Sequence, residues 1–397
     1  MVVLRGMAWA RVEYETLPWV SSGQEPSRRS ARNTPRTYES ALVPPIAHAK
    51  LELQGSTVAL VEQAAIAATR FDATEAHRIL PFTPLLLRSE SVASSRIEHL
   101  TSSARKILEA EVTGRGSANA ALIAANTRQM AAAIEHSGAT VEGILGMNRV
   151  LLAESAPDIA GAFRRQPVWI GGSDHHPGGA LFVPPHQRHV AGLVADLEAF
   201  MARRDLPVLA QAAIAHAQFE TIHPFADGNG RTGRALMHAI LRARGVTTSV
   251  AMPISAGLLA RVEDYFAALD AYRDGNVEPI VELTAHATLD AVNRGSWLAA
   301  ELQDIRAEWD SILTARKDAL AWQALDLLIR RPVLTTAAVA EEFAVSAETA
   351  RNALDRLEAD GIAVSSQVDK RQRAWRSPDV LSLLDDFAAA AGRRTPG

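Results

Sequence analysis

The chain has 397 residues, of which 48% are hydrophobic and 22% are charged, a composition typical of a globular protein with two or three domains. Its net charge of -4 argues against a nucleic-acid binder that is basic along its whole length, but leaves one basic module open. The lack of cysteine excludes disulfides, zinc–thiolate sites and thiol nucleophiles, and no apolar stretch reaches the roughly 18–20 residues of a membrane span.

The N-terminal part is predicted to begin with a flexible arm and to continue in helices. Residues 21–37 are rich in Ser, Arg, Pro and Gly, so we expect such an arm over residues 1–37. The first residues lack a charged start followed by a long apolar run, which predicts no signal peptide and, with the lack of cysteine, a cytoplasmic protein. Apolar residues at helical spacing then predict helices over residues 59–70, 85–111 with a break near 100–102, 117–133 and 140–152.

The pattern changes over residues 161–185. Two short β-prone runs, one with Trp169 and Ile170 and the other with Leu181 and Phe182, flank a tip rich in Gly and Pro. This arrangement is typical of a β-hairpin with a long loop. Further helices are predicted over residues 189–203, 208–222, from about 230 to 244, 258–272 and 277–293.

A last unit is predicted to start near residue 321. Helices over residues 322–330, 336–342 and 346–360 precede two β-prone runs around a polar turn, an order that resembles a winged helix-turn-helix. Its basic side chains suit phosphate contacts and are Arg351, Arg356, Lys370, Arg371, Arg373 and Arg376. Acidic residues on the same helix dilute this charge, so DNA binding and protein docking both remain open.

The polar loop at residues 223–234 reads His-Pro-Phe-Ala-Asp-Gly-Asn-Gly-Arg-Thr-Gly-Arg. A helix is predicted to end at His223 and another to begin after two glycines, so that free amides without nearby side chains offer an anion site. Arg231 and Arg234 are neighbours on the new helix and can clamp phosphate oxygens. Asp227 offers oxygen ligands for Mg²⁺, and His223 can accept a proton. Together these groups indicate transfer of part of a nucleotide.

The loop resembles the signature of the Fic family, H-x-F-x-[DE]-G-N-G-R-x-x-R, and matches it at every fixed position. The resemblance implies that His223 deprotonates a target hydroxyl, that Phe225 anchors the loop, and that Asp227 holds Mg²⁺ against the phosphates of ATP. It also implies that Arg231 contacts the β-phosphate side and that Arg234 pairs with the γ-phosphate. The phosphate cradle implied by the family consists of Gly228, Asn229 and Gly230.

The resemblance further implies AMP transfer instead of phosphate transfer. The Doc branch of the family phosphorylates, and it has Ala and Lys where this chain has Gly228 and Gly230. The expected cofactors are therefore ATP and Mg²⁺. The expected partner is a protein with a Ser, Thr or Tyr hydroxyl, with the chain itself as one candidate. A homodimer and DNA at the C-terminal unit stay open, and no membrane partner is expected.

Other segments support the same resemblance. The hairpin with Trp169, Ile170, Leu181 and Phe182 is similar to the family's flap, which aligns the target segment by main-chain pairing. Tyr265 lies in a segment where the family has an aromatic residue near the adenine, and a plain core tyrosine is the alternative reading.

A further segment resembles the family's inhibitory motif, [ST]-x-x-x-E-[GN]. Ser94 and Glu98 are four residues apart and share a helix face. In the family, this glutamate pairs with the second arginine of the loop, here Arg234, and blocks the γ-phosphate. His99 stands where the family usually has Gly or Asn, which puts the local turn in question.

We therefore expect a mainly α protein with a Fic-type helical core, one β-hairpin flap and a small winged helix-turn-helix. The expected regions are an arm at 1–37, a helical region with the inhibitory helix at 38–115, a catalytic core at 116–295, a connecting helix at 296–320 and the winged helix at 321–397. The expected function is a protein adenylyltransferase autoinhibited by Glu98. The alternatives are a DNA-binding regulator whose core senses nucleotide, and a de-AMPylating enzyme. An intact His223 and Asp227 favour catalysis, because a sensor needs no base.

Overall fold

The computed structural model of the chain describes residues 9–20, 34–74, 83–114, 116–135, 139–173, 175–248, 250–369 and 372–391. Over these residues the protein is mainly helical, as the sequence predicts, with two small antiparallel sheets. Many of its helices are rich in alanine, the residue with the highest helix propensity.

A β-hairpin near the N-terminus was missed by the sequence analysis. Strand β1 (Glu13–Pro18) pairs antiparallel with β2 (Thr37–Leu42), so part of the expected flexible arm is held by main-chain pairing. The rest of that arm, residues 1–8 and 21–33, lies outside the described residues. The amide of Ala41 in β2 donates to the oxygen of Val183 at 3.0 Å, which joins the hairpin to the base of the flap.

In the described residues from 55 to 152 there are five helices, and the break near residue 100 agrees with the sequence prediction. They are α1 (Gly55–Thr74), α2 (Thr83–Ile97), α3 (Ala104–Thr113), α4 (Ala118–Glu135) and α5 (Val141–Leu152). The break between α2 and α3 falls where the sequence places it, near residue 100. Helix α5 begins at a threonine cap, because Thr140 Oγ1 accepts from the amide of Gly143 at 3.1 Å.

The centre of the molecule is a helix buried on every face. The helices of this part are α6 (Gln187–Met201), α7 (Val208–Ile222), α8 (Asn229–Ala243), α9 (Ile254–Ala260), α10 (Val262–Arg273) and α11 (Glu278–Ile312). Every residue of α7 from Leu209 to Ile222 is buried. A helix that carries small or apolar residues all around can be enclosed by neighbours, and α6, α8 and α11 pack against α7. Helix α7 therefore gives the loop that follows it a rigid support.

The segment between α5 and α6 forms the predicted hairpin with little regular pairing. Ile170 and Phe182 make a single isolated bridge, and the amide of Ile170 donates to the oxygen of Phe182 at 2.9 Å. The many Gly and Pro residues of this segment do not support a longer strand ladder.

The C-terminal part consists of α12 (Leu320–Arg330), β3 (Val333–Thr335), α13 (Thr336–Glu342), α14 (Ala347–Ala359), β4 (Val364–Asp369), β5 (Gln372–Arg376) and α15 (Pro378–Ala391). Its strands form one sheet in the order β3–β5–β4. The winged-helix assignment and the domain boundaries stay predictions, and α11 runs without interruption across the expected boundary at residue 295.

Helix α15 returns to pack on α2 and α3, where Arg96 of α2 donates to the main-chain oxygen of Ala388. The C-terminal part therefore contacts the helix that carries the expected inhibitory motif. None of the helices in the described ranges is both long and apolar enough to cross a membrane.

Candidate active site

The loop between α7 and α8 is held in place by one asparagine and one aromatic ring. The amide of Phe225 donates to Asn229 Oδ1 at 2.8 Å, and Asn229 Nδ2 donates back to the oxygen of Phe225 at 2.9 Å. The ring of Phe225 is fully buried against Phe163 and Phe219. His223 ends α7 with a φ of 50°, a left-handed value that turns the chain out of the helix. The loop is therefore anchored on both sides of its polar tip.

The N-terminus of α8 has the properties of an anion site. Its first amides have no carbonyl partner within the helix. Gly228 precedes them with a φ of 79°, and a Cβ added to it would lie only 2.7 Å from Leu151 Cδ2. Arg231 is 5% exposed, and its Nε and Nη1 have no hydrogen-bond partner among the described residues. Buried donors without partners are costly, and a phosphate group would satisfy them.

His223 is neutral at physiological pH. Burial, and then the positive charge of Arg164, lower the pKa of His223 to about 4, so its imidazole is free to accept a proton. Arg164 Nε donates to the main-chain oxygen of His223 at 2.8 Å, and Arg164 Nη2 donates to the oxygen of Pro185 at 2.5 Å. Arg164 thus ties the loop to the base of the flap. This role of Arg164 was not predicted from the sequence, because spacing alone does not distinguish a buried arginine from a solvated one.

The structure brings the expected inhibitory pair together. Arg234 is 1% exposed; its Nε donates to Ser94 Oγ, and its Nη2 donates to the oxygen of Ser94 and to Glu98 Oε1, each at 2.8 Å. Burial acts to raise the pKa of Glu98, but Arg234 outweighs it and holds that pKa below its ordinary value. A Cβ added to Gly230 would overlap Glu98 Oε1. The ionised carboxylate of Glu98 therefore lies directly over the first turn of α8.

The turn after α2 keeps its shape without the usual glycine or asparagine. His99 has a φ of 60°, in the left-handed region. The amide of Leu100 donates to the oxygen of Ser95 at 3.0 Å and the amide of His99 to the oxygen of Arg96 at 2.9 Å, the two bonds of a Schellman cap. The cap therefore forms without Gly or Asn at position 99, because His99 itself adopts the left-handed conformation that the cap requires.

A buried carboxylate that was not predicted from the sequence anchors the same helix. Glu90 of α2 is 0% exposed, and its Oε1 lies 3.0 Å from His238 Nε2 of α8. Its Oε2 accepts from the amide of Ser255 at 2.8 Å. Glu90 precedes Glu98 by about two helical turns, so α2 is fixed to the core at two points on one face.

Asp227 has the position and chemistry of a ligand for Mg²⁺. Its side chain is 58% exposed, and its Oδ1 accepts from the amide of Gly228 at 2.6 Å and lies 3.6 Å from Arg231 Nη2. Mg²⁺ commonly binds one or two carboxylates together with phosphate oxygens and waters. No group of three or more potential ligand side chains occurs in the described part of the chain, so nucleotide phosphates would supply further ligands.

The four expected docking residues of the flap face different surroundings. Leu181 is 86% exposed, whereas Phe182 is 5% exposed beneath the guanidinium of Arg273, which lies 4.0 Å from the ring centre. Trp169 donates from Nε1 to the oxygen of Ser173 at 2.6 Å. Neighbouring side chains of an extended segment point to opposite sides, so Leu181 meets solvent while Phe182 packs inward.

Tyr265 occupies a different position from the one expected for an adenine contact. It is 1% exposed, and its hydroxyl lies 2.8 Å from Nε2 of His216 in the core. Both faces of the side chain are enclosed and its hydroxyl is satisfied. The geometry therefore favours the alternative reading, a core tyrosine that supports α7.

Two of the basic side chains of the C-terminal part are paired with acidic groups. Arg356 donates to Asp360 on the same helix at 2.7 Å, and Arg373 donates to Glu358 at 2.8 Å. Arg351 remains exposed. Lys370 and Arg371 lie outside the described residues. Acidic partners thus already offset part of the charge that the sequence analysis assigned to DNA contacts.

Part of the chain is similar in sequence to known proteins. Residues 139–241 match the model of the Fic/DOC family. The "Protein adenylyltransferase Fic" of Aedes aegypti is 32% identical over 163 residues, which cover 41% of this chain and 30% of that protein. The protein of the same name from Drosophila melanogaster is 30% identical over 166 residues, 41% of this chain and 31% of that protein. The chain thus matches less than a third of either relative's length.

A solved structure of a Fic family protein from Desulfovibrio desulfuricans G20 has the same fold. Its TM-score is 0.55 at 23% identity, and the match covers 85% of this chain and 98% of that one. This likeness concerns the fold alone. It extends well beyond the segment that matches the family model.

Proposed function

Because the chain belongs to the Fic family, we propose that it transfers AMP from ATP to a hydroxyl side chain of a protein. One observation carries the proposal: the neutral His223 lies beside an anion site that the start of α8 and the unpartnered donors of Arg231 form. A base next to a phosphate site is the arrangement that nucleotide transfer requires.

In the proposed reaction, the first turn of α8 binds the phosphates of ATP. His223 accepts the proton of the target hydroxyl, whose oxygen forms a bond to the α-phosphorus. The bond from that phosphorus to the bridging oxygen breaks, and pyrophosphate leaves. Arg231 and Arg234 would orient the β- and γ-phosphates, and Asp227 would hold the Mg²⁺ that offsets their charge. The cradle is formed by Gly228, Asn229 and Gly230.

The flap would align the target segment by main-chain pairing. Ile170 uses its main-chain groups to pair with Phe182, and Val183 accepts from Ala41 of β2. Main-chain groups of neighbouring residues in an extended segment face opposite sides. The groups of Trp169 therefore face the outer edge of the flap, where a target strand can add.

Autoinhibition by Glu98 belongs to the same proposal. The carboxylate of Glu98 takes the Nη2 of Arg234 and stands over Gly230, the space in which a γ-phosphate oxygen would lie. ATP bound with this carboxylate in place would have its phosphates displaced from in-line attack. Ser94 supports the contact, because its hydroxyl and main-chain oxygen both accept from Arg234.

The test uses ATP labelled at either the α- or the γ-phosphate, a cell lysate as target, and the Glu98→Ala variant. We expect label from α-labelled ATP on protein and none from γ-labelled ATP. His223→Ala in the same background should lower the rate by ~10²–10⁴ with ATP affinity nearly unchanged. His286→Ala, at an exposed position of α11, is the matched control. Transfer of the γ label, or near-normal turnover without His223, would overturn the proposal.

De-AMPylation is the second candidate, and the position of Glu98 favours it. Its carboxylate is ionised and 40% exposed within the site, where it can orient a water for attack on the phosphorus of the AMP group. The bond from that phosphorus to the side-chain oxygen breaks, and AMP and the free hydroxyl leave. Release of AMP from a pre-labelled target by the wild type, lost in Glu98→Ala, would establish this reverse activity. Equal release by both proteins would exclude a role of Glu98 in it.

A further inference from the structure

Glu220 lies in the last turn of α7, three residues before His223 and on the same face. Its side chain is buried, and its Oε2 is 3.8 Å from His223 Nδ1. The main-chain oxygen of Glu220 lies 3.4 Å from the same nitrogen. Both acceptors of this residue thus stand at the Nδ1 side of the ring, which leaves Nε2 for the substrate.

The carboxylate of Glu220 is confined and incompletely satisfied. Its Oε1 is buried and has no hydrogen-bond partner within the described residues. A Cβ added to Gly233 of α8 would lie 2.5 Å from this oxygen, so α8 closes the space around it. A buried carboxylate oxygen without a donor requires an explanation. A shift of under about 1 Å would bring Oε2 within hydrogen-bonding distance of Nδ1.

We propose that Glu220 is a positioning residue for His223, and that its carboxylate accepts a hydrogen bond from Nδ1–H when Nε2 takes the proton of the target hydroxyl. This inference rests on the proposed function, since it assigns a helper to the same base. In the step, the hydroxyl proton moves to Nε2, the oxygen bonds to the α-phosphorus and pyrophosphate leaves. The Nδ1 hydrogen stays on the ring, and Glu220 offsets the charge of the imidazolium, as the buried acid of a Ser-His-Asp triad does.

The charges around Glu220 predict how this help depends on pH. Burial raises the pKa of Glu220 to about 7, against the opposing effect of Arg234. The rate should therefore rise as Glu220 ionises near pH 7, far above the pKa of about 4 of His223 itself. Glu98, Tyr265 and Arg273 also interact electrostatically with this carboxylate, and His216 Nδ1 borders the same space at Gly233.

The test compares the Glu98→Ala protein with the same protein carrying Glu220→Gln. This substitution keeps the shape of the side chain and removes its charge. We expect kcat at pH 8 to fall ~10- to 10²-fold, less than the ~10⁴ of a fully hydrogen-bonded triad because the contact is longer. The KM for ATP should change by less than about twofold, and the inflection of kcat near pH 7 should disappear. His216→Gln, in the same buried cluster one turn earlier, is the matched control and should keep the inflection.

A second measurement is independent of AMP transfer. Diethyl pyrocarbonate acylates neutral imidazole, and mass spectrometry gives the rate at His223. Loss of the carboxylate that stabilises the developing charge should slow this rate ~10-fold in Glu220→Gln. An unchanged acylation rate together with an unchanged kcat profile would overturn the inference. If the Glu98→Ala protein transfers no AMP at all, the proposed function fails, while the acylation rate still decides the role of Glu220.

Should Glu220→Gln not fold, Glu220→Asp takes its place. Aspartate keeps the negative charge, but its side chain is one methylene group shorter, so the carboxylate lies farther from His223. A lower kcat with the inflection retained supports the inference, and a kcat equal to that of the parent protein contradicts it.

Discussion

Removal of the Glu98 carboxylate is the perturbation that the structure defines most closely. The contact consists of one charge-assisted bond at 2.8 Å, from Arg234 Nη2 to Glu98 Oε1. Such a bond contributes ~1.5–3 kcal/mol, or ~10- to 10²-fold in a rate or equilibrium constant. Because 40% of the Glu98 side chain is exposed, solvent screening favours the lower end. We expect Glu98→Ala to raise kcat for AMP transfer by at least ~10-fold and to change ATP affinity less.

Variants at Glu98 can distinguish the effect of its charge from an effect on helix stability. Helix α2 ends at Ile97, so Glu98 follows the last helical residue. Replacement by glycine costs ~1 kcal/mol only inside a helix. Glu98→Gly and Glu98→Ala should therefore activate to the same extent. Glu62→Ala, at an exposed position of α1, is the matched control and should leave the rate unchanged.

The assay measures transfer from α-labelled ATP to protein, with initial rates over a range of ATP concentrations. Arg234→Ala should be inactive with or without Glu98, because it removes the guanidinium that would hold the γ-phosphate. The reasoning is refuted if Glu98→Ala and Glu98→Gly label no faster than the wild type while Arg234→Ala still abolishes activity. Activation by the glycine variant alone would instead assign the brake to local backbone stiffness.

Three further predictions concern stability and the C-terminal part. Burial lowers the pKa of His216 to about 3 and of His223 to about 4 and raises that of Glu220 to about 7. Between about pH 4.5 and 6.5, unfolding adds a proton to each of the two histidines and removes one from the glutamate, a net uptake of about one proton. The free energy of unfolding should therefore fall by ~1.4 kcal/mol for each pH unit of acidification. Denaturant titrations at two pH values measure this, and a rise on acidification contradicts it. His99→Gly should raise the melting temperature, because relief of the left-handed backbone, ~1–2 kcal/mol, exceeds the entropy cost of glycine, ~0.4–1 kcal/mol; a lower melting temperature would contradict this. The full chain should bind DNA only weakly through residues 321–397, since acidic partners offset its arginines, and its DNA affinity should fall as the salt concentration rises. Tight binding at physiological salt would support the alternative of a DNA-binding regulator.

The chemistry of the loop was predictable because its groups are contiguous in the chain. His223 and Asp227 lie in one short loop, and Arg231 lies in the first turn of the helix that follows it. Their proximity therefore follows from local structure. The helices were equally accessible, because alanine content and apolar spacing act over a few residues. The pairing of Glu98 with Arg234 spans 136 residues and was predicted from the motif's resemblance to a known family, not from spacing.

Burial and long-range packing decided what the sequence did not. The enclosure of α7 by its neighbours, together with the charge of Arg164, lowers the pKa of His223. The same packing places Tyr265 in the core and Glu220 beside the imidazole. Strand β1 escaped prediction because its main-chain partner is a segment about twenty residues away. The apposition of α15 and α2 likewise depends on where several helices meet. Residue types and local spacing therefore determined which groups the site contains, whereas tertiary packing determined their charge, accessibility and contacts, because those properties depend on atoms remote in sequence.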